Sequence, residues 1–520
     1  MSDETHLERS DWPWLASLLL IGCLTIGIFA LTAHRFTDGQ GGVPLDDAWI
    51  HFQFARNLAR GDGLSFNPGQ PTSGSTAPLW TLLLAGVYLV GGRFPIAGQL
   101  LSGACFLAAL AATYALGKRL TDNRWAAWLA GVIAATNGRF VWAGLSALET
   151  CLFATLSLLA INAHLHDRIT HRYRLCTAAL FGLAALSRPE GYLLFALALA
   201  DYVWGSTSRN TFHVSRLTFH VLRFLLPTAL FTAIVLPYLT FSLRTSGHVL
   251  PNTYHAKAIL DFRPDLDFLS VAARYLILDN PLLLPFYVLG VGVLLRSALN
   301  RGRSATRPYL LSLWSVGLPL VYAFLHAVLY QHGRYLIPLI PCNSVIGIVG
   351  LLEARRLTFQ HRHRWRISQT TLAAMVGLFV IAGTGWRLPT MARLYAQNVD
   401  NINEMHVALG RWAAEHTPPD AVLALNDIGA ITYISERPVV DLAGLVTPEV
   451  VPLLRAPDRD ARLAEFMAER AVQYVIIFPD WFPDLAARSD LLEPLHQVRL
   501  ERNTICGGQT MVVYRAHWRR

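Results

Sequence analysis

Long apolar runs separated by short polar connectors set the pattern of the first 390 residues. The first run is roughly 13–33. Others follow at about 96–117, 125–142, 147–165, 175–188, 190–206, 220–243, 281–297, 308–328, 335–353 and 369–388. A bilayer core takes about 20 residues of helix, so these runs are read as membrane spans, about eleven in all. The stretch 79–92, LWTLLLAGVYLVGG, is apolar but short, and is read as a helix lying along the membrane surface. Before it, residues 45–63 read LDDAWIHFQFARNLARGDG, with Ile50, Phe54 and Leu58 four apart on one side of an amphipathic helix.

After residue 390 the pattern changes. EMHVALGRWAAEHTPPD predicts an amphipathic helix ended by a proline turn. AVLAL, PVVDL, QYVIIF and MVVYR predict strands, with RDARLAEFMAER as a helix between them. Alternation of this kind predicts a small α/β domain over 391–520, behind a membrane domain over 1–390 whose first outer loop is 34–95.

Composition agrees: of the 520 residues 53% are hydrophobic and only 15% charged, with a mean hydropathy of +0.36, outside the range of an ordinary soluble enzyme. The net charge of +9 sits in the connectors GKRLTDNR, HLHDRITHRYR, STSRNTFHVSR, RSALNRGRSATR and EARRLTFQHRHRWR. The positive-inside rule places these in the cytoplasm of a bacterial inner membrane, so the basic charge does not mark a nucleic-acid surface. This orientation has a cytoplasmic N-terminus, an uncleaved signal anchor as first span and an extracytoplasmic C-terminal domain, and it requires that 79–92 does not cross. The six cysteines show no pairing or metal-ligand spacing.

Ionisable groups near lipid are costly, so their placement is informative. In this topology they collect at the outer face: Asp46 and Asp47 after the first span, Glu149, Arg188 and Glu190, His255 and Lys257, then His332, Arg334 and Tyr335. Each also has a purely structural reading. Asp46 or Asp47 would cap the helix behind it, Asp47 and His51 would pair four apart, and Arg188 and Glu190 would form an ion pair at the turn of Pro189 and Gly191. A carboxylate at such a surface serves as general base toward a hydroxyl, and Arg or Lys holds a departing phosphate. The cluster therefore suits glycosyl transfer from a polyprenyl-phosphate sugar. A phosphate leaves without protonation, so no second acid is needed.

These segments resemble the C-type glycosyltransferase fold (GT-C), most of all the bacterial arabinofuranosyltransferase-like subgroup of cell-envelope synthesis. That subgroup shows DDAYI, Asn-Leu with Gly-x-Gly, and Asn-Pro-Gly. Here these are Asp46 to Ile50, Asn57-Leu58 with Gly61 and Gly63, and Asn67-Pro68-Gly69. SALET (146–150, with Ala147 for Gly), SRPEG (187–191), PNTYHAK (251–257, with Tyr254 and His255 as substitutions), GRYLIP (333–338) and NDIGAITYISERPVVDLAGL (426–445) resemble its later motifs in order.

The resemblance implies a mainly α, polytopic membrane helix bundle with juxtamembrane helices and the C-terminal α/β domain. It implies inverting transfer of a sugar, arabinofuranose or another pentose or hexose, from a polyprenyl-phosphate donor to a glycan, glycolipid or protein acceptor. Asp47 is expected as base, with Asp46 as the second choice or its orienting partner. Lys257, Arg334 and Arg188 are expected at the donor phosphate, and Glu149, His255, His332, Tyr335, Glu190 and Asp427 at sugar or acceptor. No cofactor is expected, and a divalent metal is left open because members of the fold differ in using one. The competing function is a transporter or flippase of a lipid-linked sugar. That reading calls for broken polar spans at mid-membrane and internal repeats, whereas the polar residues lie at one surface and no repeat is present.

Overall fold

The apolar runs form a helix bundle. The computed structural model describes residues 8–170, 174–207, 214–253, 263–299, 308–325, 331–360 and 369–518. Among these residues, four helices are long and apolar enough to cross a membrane: Arg9–Phe36, Ile96–Thr121, Leu225–Ser246 and Gln331–Thr358. The pair Leu266–Asp279 and Leu284–Ser297, bent by 112° at the break between them, adds a broken span. The first helix of this pair falls inside the stretch 244–280, which the hydropathy pattern assigns to a loop. Other apolar runs give shorter helices. The run at 125–142 is divided into Arg124–Ala135 and Gly138–Gly144, because the Asn137 side chain accepts from Arg139 N and Phe140 N and starts a new helix there.

We call Trp12–Phe36 α1, Asp47–Arg60 α2, Pro78–Leu89 α3 and Ile96–Thr121 α4. At the end of the bundle far from the site, buried Asp11 fixes the start of α1. It accepts from Tyr114 Oη at 2.8 Å and Arg124 Nε at 3.0 Å, with Lys118 Nζ at 3.5 Å. At the other end α1 leads into α2. With 12 residues, α3 reaches about 18 Å, well short of a ~30 Å bilayer core.

Helix α2 is more enclosed than its amphipathic pattern predicts. Trp49, Phe52 and Ala55 pack into the bundle core, while Phe54 packs on Phe66 and into the core of the C-terminal domain. Its apolar side therefore lies between the two domains, not on lipid. Gly61 ends it in the left-handed conformation at φ 93°.

The helix Leu388–Ile402 packs in the bundle core against α1, and a π-turn over Asn403–Val407 joins it to Ala408–His416, which packs into the core of the C-terminal domain. The sheet of that domain contains β1 (Leu423–Leu425), β2 (Val439–Asp441), β3 (Tyr474–Ile477), β4 (Leu492–Arg499) and β5 (Thr510–Ala516), in the order β2-β1-β3-β5-β4. β1 pairs in parallel with β2 and β3, and β5 pairs antiparallel with β3 and β4. Apolar clusters cover both faces. The sequence pattern misses β4, an edge strand whose residues are mostly exposed and carry no apolar alternation.

Candidate active site

Adjacent Asp46 and Asp47 meet different parts of the molecule. Asp47 opens α2 and is 31% exposed, with its Oδ2 2.6 Å from an Arg334 guanidinium nitrogen. Asp46 is buried and turns toward the C-terminal domain. It accepts from Gly429 N at 2.8 Å and Ala430 N at 2.7 Å, the first amides of the helix Gly429–Ser435. It thus caps a helix 383 residues away in sequence rather than its own. Gly429 is required for this approach, since a Cβ there would lie 2.2 Å from the Asp46 carbonyl oxygen.

Behind Asp46, buried His406 sits in the π-turn with its Nε2 2.9 Å from Asp427 Oδ2 and its Nδ1 3.9 Å from Cys506 Sγ. Burial pushes the Asp46 carboxyl up to about 6, with Asp427 adding to the rise. This outweighs His406 and the two backbone donors, which hold it down. Burial works against the charged form of His406, yet the Asp46 carboxylate raises the imidazole well above its usual range.

The turn that carries Arg334 is strained. Gln331 and His332 have φ of 51° and 64°, a region non-glycine residues rarely occupy, and Gly333 follows at 64°. Arg139 compensates by donating to His332 O at 2.7 Å and Gly333 O at 2.9 Å, while it pairs with Asp279 at 2.7 Å. His332 Nε2 lies 2.9 Å from Asn398 Oδ1, which also accepts from Trp142 Nε1 at 3.0 Å.

A buried ionic network backs the site. Arg188 reaches Glu149 at 2.8 Å and Glu190 at 2.7 Å, Glu149 meets His51 Nε2 at 3.3 Å, and Tyr322 Oη donates to Glu190. The Tyr335 ring lies 5.4 Å from the Arg188 guanidinium and 5.2 Å from that of Arg334, linking the network to Asp47. Ala147 in SALET has φ 56°, a conformation that suits the glycine of the motif it resembles.

Between the bundle and the C-terminal domain lies a cavity of about 850 Å³. Asp46, Asp47, His332, Arg334 and Asp427 line it. Glu149, Arg188, Glu190 and Tyr335 stand behind this wall. Lys257 and His255 lie outside the described residues. Among the described residues, no group of three or more His, Cys, Asp and Glu side chains converges as a metal site would require. Sequence reasoning passed over Arg139, Asn398 and His406. Of these, only His406 carried a signal, since it falls on the buried side of an amphipathic helix.

Comparison with known proteins fixes the class of fold. The chain resembles ArnT from Cupriavidus metallidurans bound to undecaprenyl phosphate (TM-score 0.59, 12% identity, covering 96% of this chain and 98% of that one). It also resembles the Archaeoglobus fulgidus oligosaccharyltransferase in the apo form (0.60, 14%, 91% and 70%). Arabinofuranosyltransferase AftD from Mycobacteria, mutant R1389S, is a third neighbour (0.51, 16%, 97% and 41%). These are GT-C fold glycosyltransferases, and the chain has the GT-C fold. Residues 394–518 match a family described as "Domain of unknown function (DUF8728)". Comparison with curated proteins gave no significant match.

Proposed function

We propose that this protein is a membrane glycosyltransferase that moves a sugar from a polyprenyl-phosphate donor to an acceptor hydroxyl. The observation that carries this reading is the Asp47–Arg334 pair, at 2.6 Å, in the wall of a cavity closed by the C-terminal domain. An anion and a cation side by side provide what an acceptor proton and a departing phosphate need. Asp47 takes the proton as the acceptor oxygen bonds to the anomeric carbon from the face opposite the phosphate. The anomeric C–O bond breaks, and its electron pair leaves with the polyprenyl phosphate. The configuration inverts and no second acid is required.

Arg334 binds the phosphate, a role that the motif resemblance of PNTYHAK extends to Lys257. His332 and Asp427 face the sugar or acceptor across the cavity. Glu149, Arg188, Glu190 and Tyr335 act from behind the wall by fixing its shape. Two structures of the same fold support a lipid-phosphate donor: ArnT was solved with undecaprenyl phosphate, and an A. fulgidus oligosaccharyltransferase with an inhibitory peptide and a dolichol-phosphate. The Arg-rich connectors orient the site to the outer face of a bacterial inner membrane. The sugar is arabinofuranose or another pentose or hexose, and the acceptor belongs to the cell envelope.

Purified protein with a lipid-linked sugar and an envelope acceptor tests the assignment. Asp47→Asn is expected to lower turnover by ~10²–10⁴-fold while donor binding persists. Wild-type turnover in a normally folded Asp47→Asn variant would sink the base assignment. Mass spectrometry of lipid-linked sugars and envelope glycans in a deletion strain then identifies both substrates, as an accumulated donor and a missing residue.

A further inference from the structure

The cavity wall formed by the C-terminal domain carries a feature the proposed chemistry does not use. Trp481 ends the short turn Pro479–Trp481 after β3, lines the cavity and is 43% exposed. The ring is held in place. Its Nε1 donates to Gly507 O at 3.1 Å, and Phe478 packs behind it at 5.5 Å between centroids. Gly507 permits this seat, since a Cβ there would lie 2.7 Å from Trp481 Cζ2. Arg459 donates to Trp481 O at 2.9 Å and fixes the backbone of the turn.

Beside this platform, Asn426 is only 3% exposed and lines the same cavity. Its Oδ1 accepts from Phe478 N at 3.1 Å, but its Nδ2 has no partner among the described residues. Across the cavity, Gln331 Oε1 also lacks one among the described residues. A buried donor or acceptor left unmade costs about 1–3 kcal/mol. The cavity wall thus holds one unmade donor and one unmade acceptor, both just beneath its surface, together with a rigid aromatic face.

We infer that Trp481 and Asn426 form the acceptor subsite and that the acceptor is a carbohydrate ring, an inference that rests on the transferase reading above. The C–H face of a sugar ring carries partial positive charge and lies flat on the negative face of an indole. Each rim hydroxyl both donates and accepts, so a carbohydrate carries a partner for Asn426 Nδ2 and for Gln331 Oε1 alike. A lipid chain would satisfy neither atom, and a phosphate only the donor. The subsite and the Asp47–Arg334 pair line one cavity, which places a bound acceptor within the same enclosure as the base.

Saturation-transfer NMR on the full chain in detergent tests this, with neutral pentose and hexose di- and trisaccharides as probes and a serine-containing hexapeptide as the competing class. The wild type is expected to show saccharide signals. Trp481→Ala should reduce them at least fivefold, and Trp481→Phe should retain most of them. Asn426→Asp keeps the acceptor for Phe478 N but removes the donor, and should also weaken binding. Absence of saccharide signals from the wild type, undiminished signals in folded Trp481→Ala, or a Trp481-dependent signal from the peptide alone would each overturn the inference. Trp481-dependent saccharide binding without transfer from a polyprenyl-phosphate sugar would leave the subsite standing and remove the transferase reading.

Discussion

Asp46 and Asp47 share a sequence motif and divide two tasks. Both Asp46 oxygens are occupied by Gly429 N and Ala430 N, so Asp46 joins the first loop to the C-terminal domain. Asp47 is left facing the cavity with Arg334. The join depends on protonation. The folded state raises the imidazole of His406 well above its usual range, against the cost of burial, because Asp46 faces it. A group raised on folding contributes stability that is fully present below its unfolded pKa, about 6.5 for histidine, and lost as pH rises through the folded value. Asp46, raised to about 6 by burial, has the same sign, and its contribution fades as pH climbs through that value. Melting temperature is therefore expected to fall between pH 6 and pH 9. His406→Gln should flatten the slope over that range, and equal slopes in both proteins would refute the account.

The elements that hold the site were unequally legible in sequence. The apolar runs and the strands β1, β2, β3 and β5 announce themselves by periodicity, because each buries a continuous apolar face. The edge strand β4 does not, being mostly exposed. The Glu149–Arg188–Glu190 network was visible only as three charges near lipid, and their mutual contact depends on how the helix starting at Thr150, the turn at Pro189 and the helix Tyr309–Phe324 pack. Arg139 gave no sign, since its role is to accept the cost of a turn 193 residues further along. The network makes a clear energetic prediction. Removing the cation from a buried ion pair leaves uncompensated carboxylates, at a cost of about 3–5 kcal/mol. Arg188→Ala should therefore lower the thermal stability of the detergent-solubilised protein steeply. Arg188→Lys should recover only part of it, because a single ammonium cannot replace a planar guanidinium. A melting temperature unchanged in Arg188→Ala would show that the network carries no structural load.

At the scale of the whole molecule, the cavity exists because two domains enclose it, and their docking could not be read from either half of the chain alone. Helix α2 is the shared wall. Its buried Arg56 donates to Glu436 at 2.7 Å and to Tyr433 O at 2.9 Å, with its guanidinium 4.2 Å over the Tyr433 ring. Asn67 exchanges two hydrogen bonds with Val439, at 2.8 and 2.9 Å. These contacts press the helix Gly429–Ser435 against the first loop, where Asp46 caps it. Loss of Arg56 should thus be felt at the cap, although Arg56 does not touch it. Charge-assisted hydrogen bonds contribute about 1.5–3 kcal/mol each, and local opening governs amide exchange. Arg56→Ala is therefore expected to speed hydrogen exchange in residues 426–437 by roughly tenfold or more, with exchange in α1 and α4 unchanged. Glu436 is half exposed, so Glu436→Gln should give a smaller acceleration. If exchange over 426–437 is the same in Arg56→Ala as in the wild type, the Arg56 contacts do not hold this segment, and the Asp46 cap, the Asn67–Val439 pair and apolar packing on α2 keep it in place.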